Sequence, residues 1–416
     1  MHGIVARARI QAPATYAITL RCLYRKLLLT PFAPTLHSWL LYFLAEAVRR
    51  TGAILHHITI EPNHIHYVVT VTDANLPTLK RVFHGEVGSF VKKALEKHGF
   101  EAPELVFGSG RSEQKQLVNG PAILTWLHYS DIQVVKDGLV AKVEDYPGFT
   151  SDPGMMAGSS ITLERPPFGL DERTWPERSE LRFGMAPELK RTIGTQRTIY
   201  TVRKARTDAE RSYAAKRKRP VLGAARILTQ SPWAEPAAPR KKSKPGPLET
   251  FLVVDDDDLQ EHCEREVKAF EGAYDEARAK LRRGESAVFP PGTYLMRVQF
   301  GAEVEAPAED SVLAAGERFD DVPELLPEEA RDAIIARLRA RAREVDEEAL
   351  DDDLATRLAA TESMTVDRRD SPRVSIEERK TPKLVTLREV GRAKLPDPSP
   401  RDERSDDEPP DPTHDN

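Results

Sequence analysis

Cysteine is nearly missing: the 416 residues include only Cys22 and Cys263. Two thiols build neither a disulfide framework nor a thiolate zinc site, so a reducing cytoplasm is the expected setting. Aromatics make up 7% of the chain, and 23 glycines are outnumbered by 32 prolines. Long apolar runs are also missing. The longest, Trp39 to Val48, is interrupted by Glu46 and falls short of the ~20 residues that span a bilayer. The start, Met-His-Gly-Ile-Val-Ala-Arg, lacks the basic segment and apolar stretch of a secretory leader. No membrane partner is expected.

Charge is abundant, at 31% of residues, and unevenly spread. Residues 301–416 hold 18 Lys and Arg against 32 Asp and Glu, a net of −14, whereas residues 1–300 hold 43 against 34, a net of +9. A basic body followed by an acidic tail is common among proteins that bind nucleic acid. Residues 186–245 carry 16 basic against 4 acidic side chains, a net of +12, including Lys216-Arg217-Lys218-Arg219. Behind the Pro-, Gly- and Met-rich 151–187, this stretch reads as a linker and flexible cationic arm. Single cores rarely exceed ~250 residues, so two or three domains are expected.

The amino-terminal part has regular periodicity. Residues 16–22 read as a strand. From Thr35 to Arg50 the apolar positions fall at helical spacing, with Thr35 as the expected N-cap and Gly52 as the stop. Two strands follow, Ala53 to Ile60 and His64 to Val71, separated at Pro62-Asn63. Pro77 to Lys97 is a second amphipathic helix, 104–118 hold a weak strand, and a third helix runs from about Pro121 to Val135. The order β-α-β-β-α-β-α predicts an α+β fold, a ferredoxin-like antiparallel sheet with helices. Beyond it, 257–283 read as a charged helix and Val288 to Leu295 as a turn into a strand. Helical periodicity in the acidic tail is confined to Val322–Leu358, and the last ~50 residues have the composition of a disordered segment.

Two features carry chemistry. His64 and His66 lie at i and i+2, so on a strand both project from one face and could ligate one divalent cation. An isolated His-x-His more often only packs or hydrogen-bonds on its sheet. Tyr129 and Gln133 lie at i and i+4 and would share a helix face. A lone tyrosine usually anchors a helix, but if Gln133 completes a site with the histidines, Tyr129 points at whatever anion the cation binds. Nitrogen ligands mixed with an amide oxygen suit Mg²⁺ or Mn²⁺ with a phosphate better than structural zinc.

Ile18-Thr19-Leu20-Arg21-Cys22, Pro62-Asn63-His64-Ile65-His66, the stretch from Tyr129 to Val140, and Glu144-Asp145-Tyr146-Pro147 occur in that order. In these segments the chain resembles the single-tyrosine HUH transposases, in particular the REP-associated tyrosine transposases, over roughly residues 11–152. The resemblance implies an HUH transposase domain in which His64, His66 and Gln133 hold a divalent metal ion, Mg²⁺ or Mn²⁺, and Tyr129 is the nucleophile. It implies metal-dependent cleavage and rejoining of single-stranded DNA through a 5′-phosphotyrosine intermediate, that is, DNA transposition by a mobile-element enzyme. The chain departs from the family pattern at Gln133-Val134, usually Asn-Pro, at Asp131, commonly His, and at Gly148, where Trp is expected. Val221 to Gly301 also resembles an extension of long family members, at Val221-Leu222-Gly223 and Val288-Phe289-Pro290.

The expected domains are therefore 11–152, the transposase domain; 153–245, linker and basic arm; 246–301, a helical extension; and 302–416, a largely disordered acidic tail. Expected partners are single-stranded or hairpin DNA and a second copy in a homodimer, in the cytoplasm at the nucleoid. Arg21, Arg25, Lys26, Lys80, Arg81, Lys92 and Lys93 are candidate phosphate contacts. The alternative is a domesticated protein that binds DNA hairpins without cutting. A relaxase or replication initiator, or a hydrolase using His64 and His66, are more distant rivals. For the acidic tail the choice is between a solubilising appendage and an internal DNA mimic that covers the basic arm.

Overall fold

A computed structural model describes residues 13–33, 35–72, 75–107, 112–167, 169–234, 250–293, 302–306, 308 and 311–313. The chain divides into units 1–344 and 345–416, and every described residue lies in the first. The expected helix and disorder of the acidic tail lie outside the described residues.

The expected order of elements is present. Strand β1 (Ala14–Arg21) leads through a 3-10 turn to α1 (Leu36–Thr51), then to β2 (Ile54–Glu61) and β3 (His64–Val71). Helix α2 (Leu76–Lys97), β4 (Glu113–Leu117) and α3 (Gly120–Asp131) follow. Gly52 ends α1 at φ +64°, which glycine adopts without strain. Thr35 does not cap α1, because its backbone is already helical and its side chain makes no capping bond. Asn119 does cap α3, its Oδ1 accepting from the Ala122 N–H at 3.0 Å.

Helix α3 stops before the expected end at Val135. A break at Ile132 separates it from the single turn α4 (Gln133–Lys136). At the break the Ser130 carbonyl accepts from Thr59 Oγ1 at 2.9 Å, and the β-branched Ile132, Val134 and Val135 favour helix weakly.

The principal sheet has the order β5-β2-β3-β1-β4-β8, where β5 is Phe149–Thr150 and β8 is Phe251–Leu252. Strands β1 to β5 pair antiparallel, but β8 runs parallel to β4, so the sheet is mixed rather than antiparallel throughout. A strand that arrives from the far side of the sequence is free of the direction a hairpin imposes.

Register divides the sheet into two faces. Ile18, Ile58, Ile60, Ile65, Tyr67 and Val69 point to one face and pack with α1 and α2. Thr19, Thr59 and His66 share the opposite face with Ala17 and Val68, which α3 covers through Ala122, Ile123 and Leu127. Burial of apolar area on both faces is the main stabilising contribution.

Residues 153–234 depart from the linker-and-arm expectation. They hold a hairpin of β6 (Ser160–Glu164) and β7 (Arg178–Arg182), then α5 (Pro187–Thr192), α6 (Thr195–Lys216) and α7 (Ala224–Leu228). Leu163, Leu181, Phe183 and Trp175 join the core of α1, whereas Leu189, Ile199 and Val202 join Leu127 of α3. The apolar residues are sparse in any one window, yet each seats on a surface the first domain would otherwise expose. Helix α8 (Asp257–Arg282) matches the expected charged helix, and β9 (Val288–Phe289) pairs with β10 (Glu303–Val304).

Three histidines are fully used inside this fold. His37 meets the Leu29 carbonyl and the Phe149 N–H, His56 the Gly184 carbonyl and Thr70, and His57 the hydroxyls of Thr59 and Ser151. Burial pulls their pKa values from 6.5 down to about 4, 4 and 3 respectively. Below pH 6.5 the unfolded chain binds protons that the folded chain refuses, so stability falls with pH and levels off only below the folded values. Each histidine should cost up to about 2 kcal/mol at pH 5. A thermal unfolding midpoint at pH 5 equal to that at pH 7 would show that these imidazoles are not held neutral.

Candidate active site

His64 and His66 open β3, with Asn63 turning the chain from β2. Arg21 and Glu61 are the cross-strand partners of His64, and Thr19 and Thr59 are those of His66. The two imidazoles lie 4.5 Å apart, ring centre to ring centre. Thr19 Oγ1 bonds His66 Nδ1 at 2.9 Å, while His66 Nε2 is buried with no hydrogen-bond partner among the described residues. One ring nitrogen is thereby oriented and the other left for a ligand, the arrangement that supporting hydrogen bonds impose on metal-binding histidines. Burial first, and then positive neighbours that include His64, Arg21 and Lys136, hold His66 neutral, well below the ordinary imidazole value. His64 Nδ1 is 2.5 Å from Asn63 Oδ1 and 3.5 Å from Glu61 Oε2.

Tyr129 reaches this pair from α3. Its ring stands 5.7 Å from that of His66 at a steep angle and 5.0 Å from that of Trp126. The Lys136 ammonium lies 4.1 Å from the centre of the Tyr129 ring, within cation–π range. The Thr59–Ser130 bond ties α3 to β2 at the residue next to Tyr129.

Gln133 does not share a continuous helix with Tyr129, since the break at Ile132 lies between them. It is buried, and its Nε2 has no hydrogen-bond partner among the described residues. Glu61 and Asp137, which no sequence motif singles out, bring carboxylate oxygens within 4.8 Å of each other and of a His64 nitrogen. Nitrogen and oxygen donors at that spacing fit a divalent cation. Glu61 could have been suspected as a buried carboxylate on the strand that pairs with His64. Asp137 had no local signal, for acidic residues are ordinary in helix-ending turns.

The candidate phosphate contacts fall into two groups. Arg21 and Arg25 are exposed at the histidine end of β1, and Lys26 nearby donates to the Trp233 carbonyl at 3.3 Å. Lys80, Arg81, Lys92 and Lys93 belong to α2, on the sheet face away from α3. Lys80 donates to Gln114 and Lys92 to the Glu104 carbonyl. These four therefore stand apart from the site.

Two departures from the family pattern have local explanations. Asp131 is buried and accepts a two-pronged contact from Arg206 of α6, through Nε at 2.7 Å and through Nη2. Burial pushes the Asp131 carboxyl up, against the opposing pull of the guanidinium. At Gly148, a Cβ would stand 2.5 Å from the Tyr146 ring and 2.6 Å from that of His37, so no larger residue fits this packing.

No protein-family model matches this chain, and no curated protein matches it. The chain is similar to a solved structure of a REP-associated tyrosine transposase bound to a REP hairpin. The two are 20% identical over 35% of this chain and 79% of the other, with a TM-score of 0.29. At that score the likeness assigns neither a fold nor a chemistry.

Proposed function

We propose that the protein cleaves and rejoins single-stranded DNA beside a hairpin, through a covalent bond between Tyr129 and a 5′ phosphate. The observation that carries this reading is the meeting of Tyr129 with His66, whose buried Nε2 is unpartnered among the described residues. The ferredoxin-like reading is supported by the order β4-β1-β3-β2 at the centre of the sheet, with α1 and α2 packed together on one face.

His64 and His66 would hold a divalent cation, Mg²⁺ or Mn²⁺, with Gln133 as third ligand and Glu61 and Asp137 as further oxygen donors. When bound, that ion supplies positive charge to polarise and orient the scissile phosphate. The Tyr129 oxygen attacks phosphorus and gives up its phenol proton, the bond to the 3′ oxygen breaks, and the departing oxygen takes up a proton from solvent and leaves as a 3′-hydroxyl. The phosphotyrosine conserves the bond energy, so another 3′-hydroxyl can displace Tyr129 and restore the strand without ATP. Lys136 offers a positive charge beside the phenol, and Arg21 and Arg25 offer contacts for the flanking backbone.

Incubation with a single-stranded hairpin oligonucleotide and Mn²⁺ should give a denaturant-stable protein–DNA adduct that a chelator prevents. His66→Ala removes the unpartnered nitrogen and should raise the Mn²⁺ concentration for half-maximal adduct about 10-fold or more. Hairpin binding with no adduct at any metal concentration would leave a non-cleaving DNA-binding protein.

A further inference from the structure

We infer that the outward face of α6 is a second DNA-contact surface, for the sugar–phosphate backbone that flanks the cleaved strand. The inference rests on the DNA reading above, but uses residues outside the site and beyond the stretch that carries the family resemblance.

Helix α6 has two unlike faces. Inward, Ile199 and Val202 pack on Leu127 of α3, and Arg206 grips Asp131, two residues beyond Tyr129. Outward, Arg197, Tyr200, Lys204, Asp208 and Arg211 are exposed in steps of three or four residues, one stripe along the helix. Tyr200 is 66% exposed, although a tyrosine ring is ordinarily largely covered. Residues 187–219 hold 11 basic and 3 acidic side chains, a net of +8.

An exposed aromatic set between cations matches nucleic acid: phosphates pair with the cations and a base or sugar stacks on the ring. An acidic protein surface would use the charge but not the ring. Asp208 lies 2.6 Å from Lys204 and 4.0 Å from Arg211, so part of the stripe is internally neutralised. Arg197 makes no ion pair among the described residues. What distinguishes this stripe from a flexible arm is its fixed position. The buried Asp131–Arg206 contact holds it to the helix that carries Tyr129, so bound DNA would have a defined path towards the site.

The test uses the full-length chain carrying Tyr129→Phe, which avoids cleavage, and a fluorescein-labelled DNA hairpin with a single-stranded flank, titrated by anisotropy at several salt concentrations. Arg197→Glu with Arg211→Glu should weaken binding at least 10-fold at low salt and reduce the salt slope by about 1–2, roughly 0.9 for each phosphate that is no longer neutralised. Tyr200→Ala should weaken binding while leaving the salt slope unchanged. All three positions are exposed, so an unchanged unfolding midpoint will accompany these effects. The control is Lys241→Glu with Lys242→Glu, equal in charge but elsewhere in the basic region. Equal losses in both double variants, or no loss in the α6 variants, would overturn the inference. With Tyr129 restored, adduct formation on a short oligonucleotide that spans only the cleaved step should survive the α6 changes. If wild type forms no adduct, the cleavage reading fails while the binding comparison still decides the role of α6.

Discussion

Tyr129→Phe should reduce the covalent adduct by about 10³-fold or more, because removal of a nucleophile abolishes the step it performs. The change deletes one oxygen and keeps the ring. The edge contact with His66, the packing on Trp126 and the position under the Lys136 ammonium all depend on the ring rather than on the hydroxyl. Fold and hairpin affinity should therefore match wild type, and the loss should appear only in the covalent step. Denaturing electrophoresis of the Mn²⁺ reaction reads the outcome directly. An undiminished adduct would make Tyr129 a helix anchor and place the nucleophile elsewhere.

Asp131→Ala should be the most destabilising single change near the site. It leaves the Arg206 guanidinium, only 17% exposed, without its principal partner. Breaking a buried pair from one side costs about 3–5 kcal/mol, because an uncompensated charge remains. Asp152, 3.5 Å from Arg206 and shared with Arg203, offsets part of that cost, which places the expectation at the lower end. The unfolding midpoint should fall by roughly 10 °C. The double change Asp131→Leu with Arg206→Leu should recover most of the loss, since no buried charge is left. A double variant as unstable as the single one would mean that the contact's geometry, and not charge burial, holds α6 in place. Because Asp131 belongs to the helix of Tyr129, the single variant should also form adduct more slowly at temperatures where it remains folded.

The resemblance to single-tyrosine transposases assigned Asp131 no task, since the family commonly has histidine there. The task comes from Arg206, 75 residues further on, in a segment whose charge had suggested a free arm. Charge density was a true property of that segment, but it did not exclude helix. Ile199 and Val202, spaced three apart between polar residues, were enough to seat α6 once α3 presented Leu127. Sparse apolar residues yield a weak periodic signal, and their burial depends on a surface formed elsewhere.

Tyr129 and Gln133 do not lie on one continuous helix, for a related reason. An i, i+4 spacing places two side chains on one face only while the helix continues, and the Thr59–Ser130 bond marks its interruption. Local sequence by itself determined the alternation of strands and helices from Ala14 to Asp131, the turn at Pro62-Asn63, and the common face of His64 and His66. These follow from side-chain periods of 2 and 3.6 and from backbone preferences that act over a few residues. Only the tertiary structure decided that Tyr129 meets His66, that Glu61 and Asp137 converge on His64, and that α6 locks onto α3. Each of those contacts joins residues far apart in the chain, and it forms because burying one element's apolar face dictates which polar groups are brought within reach of one another.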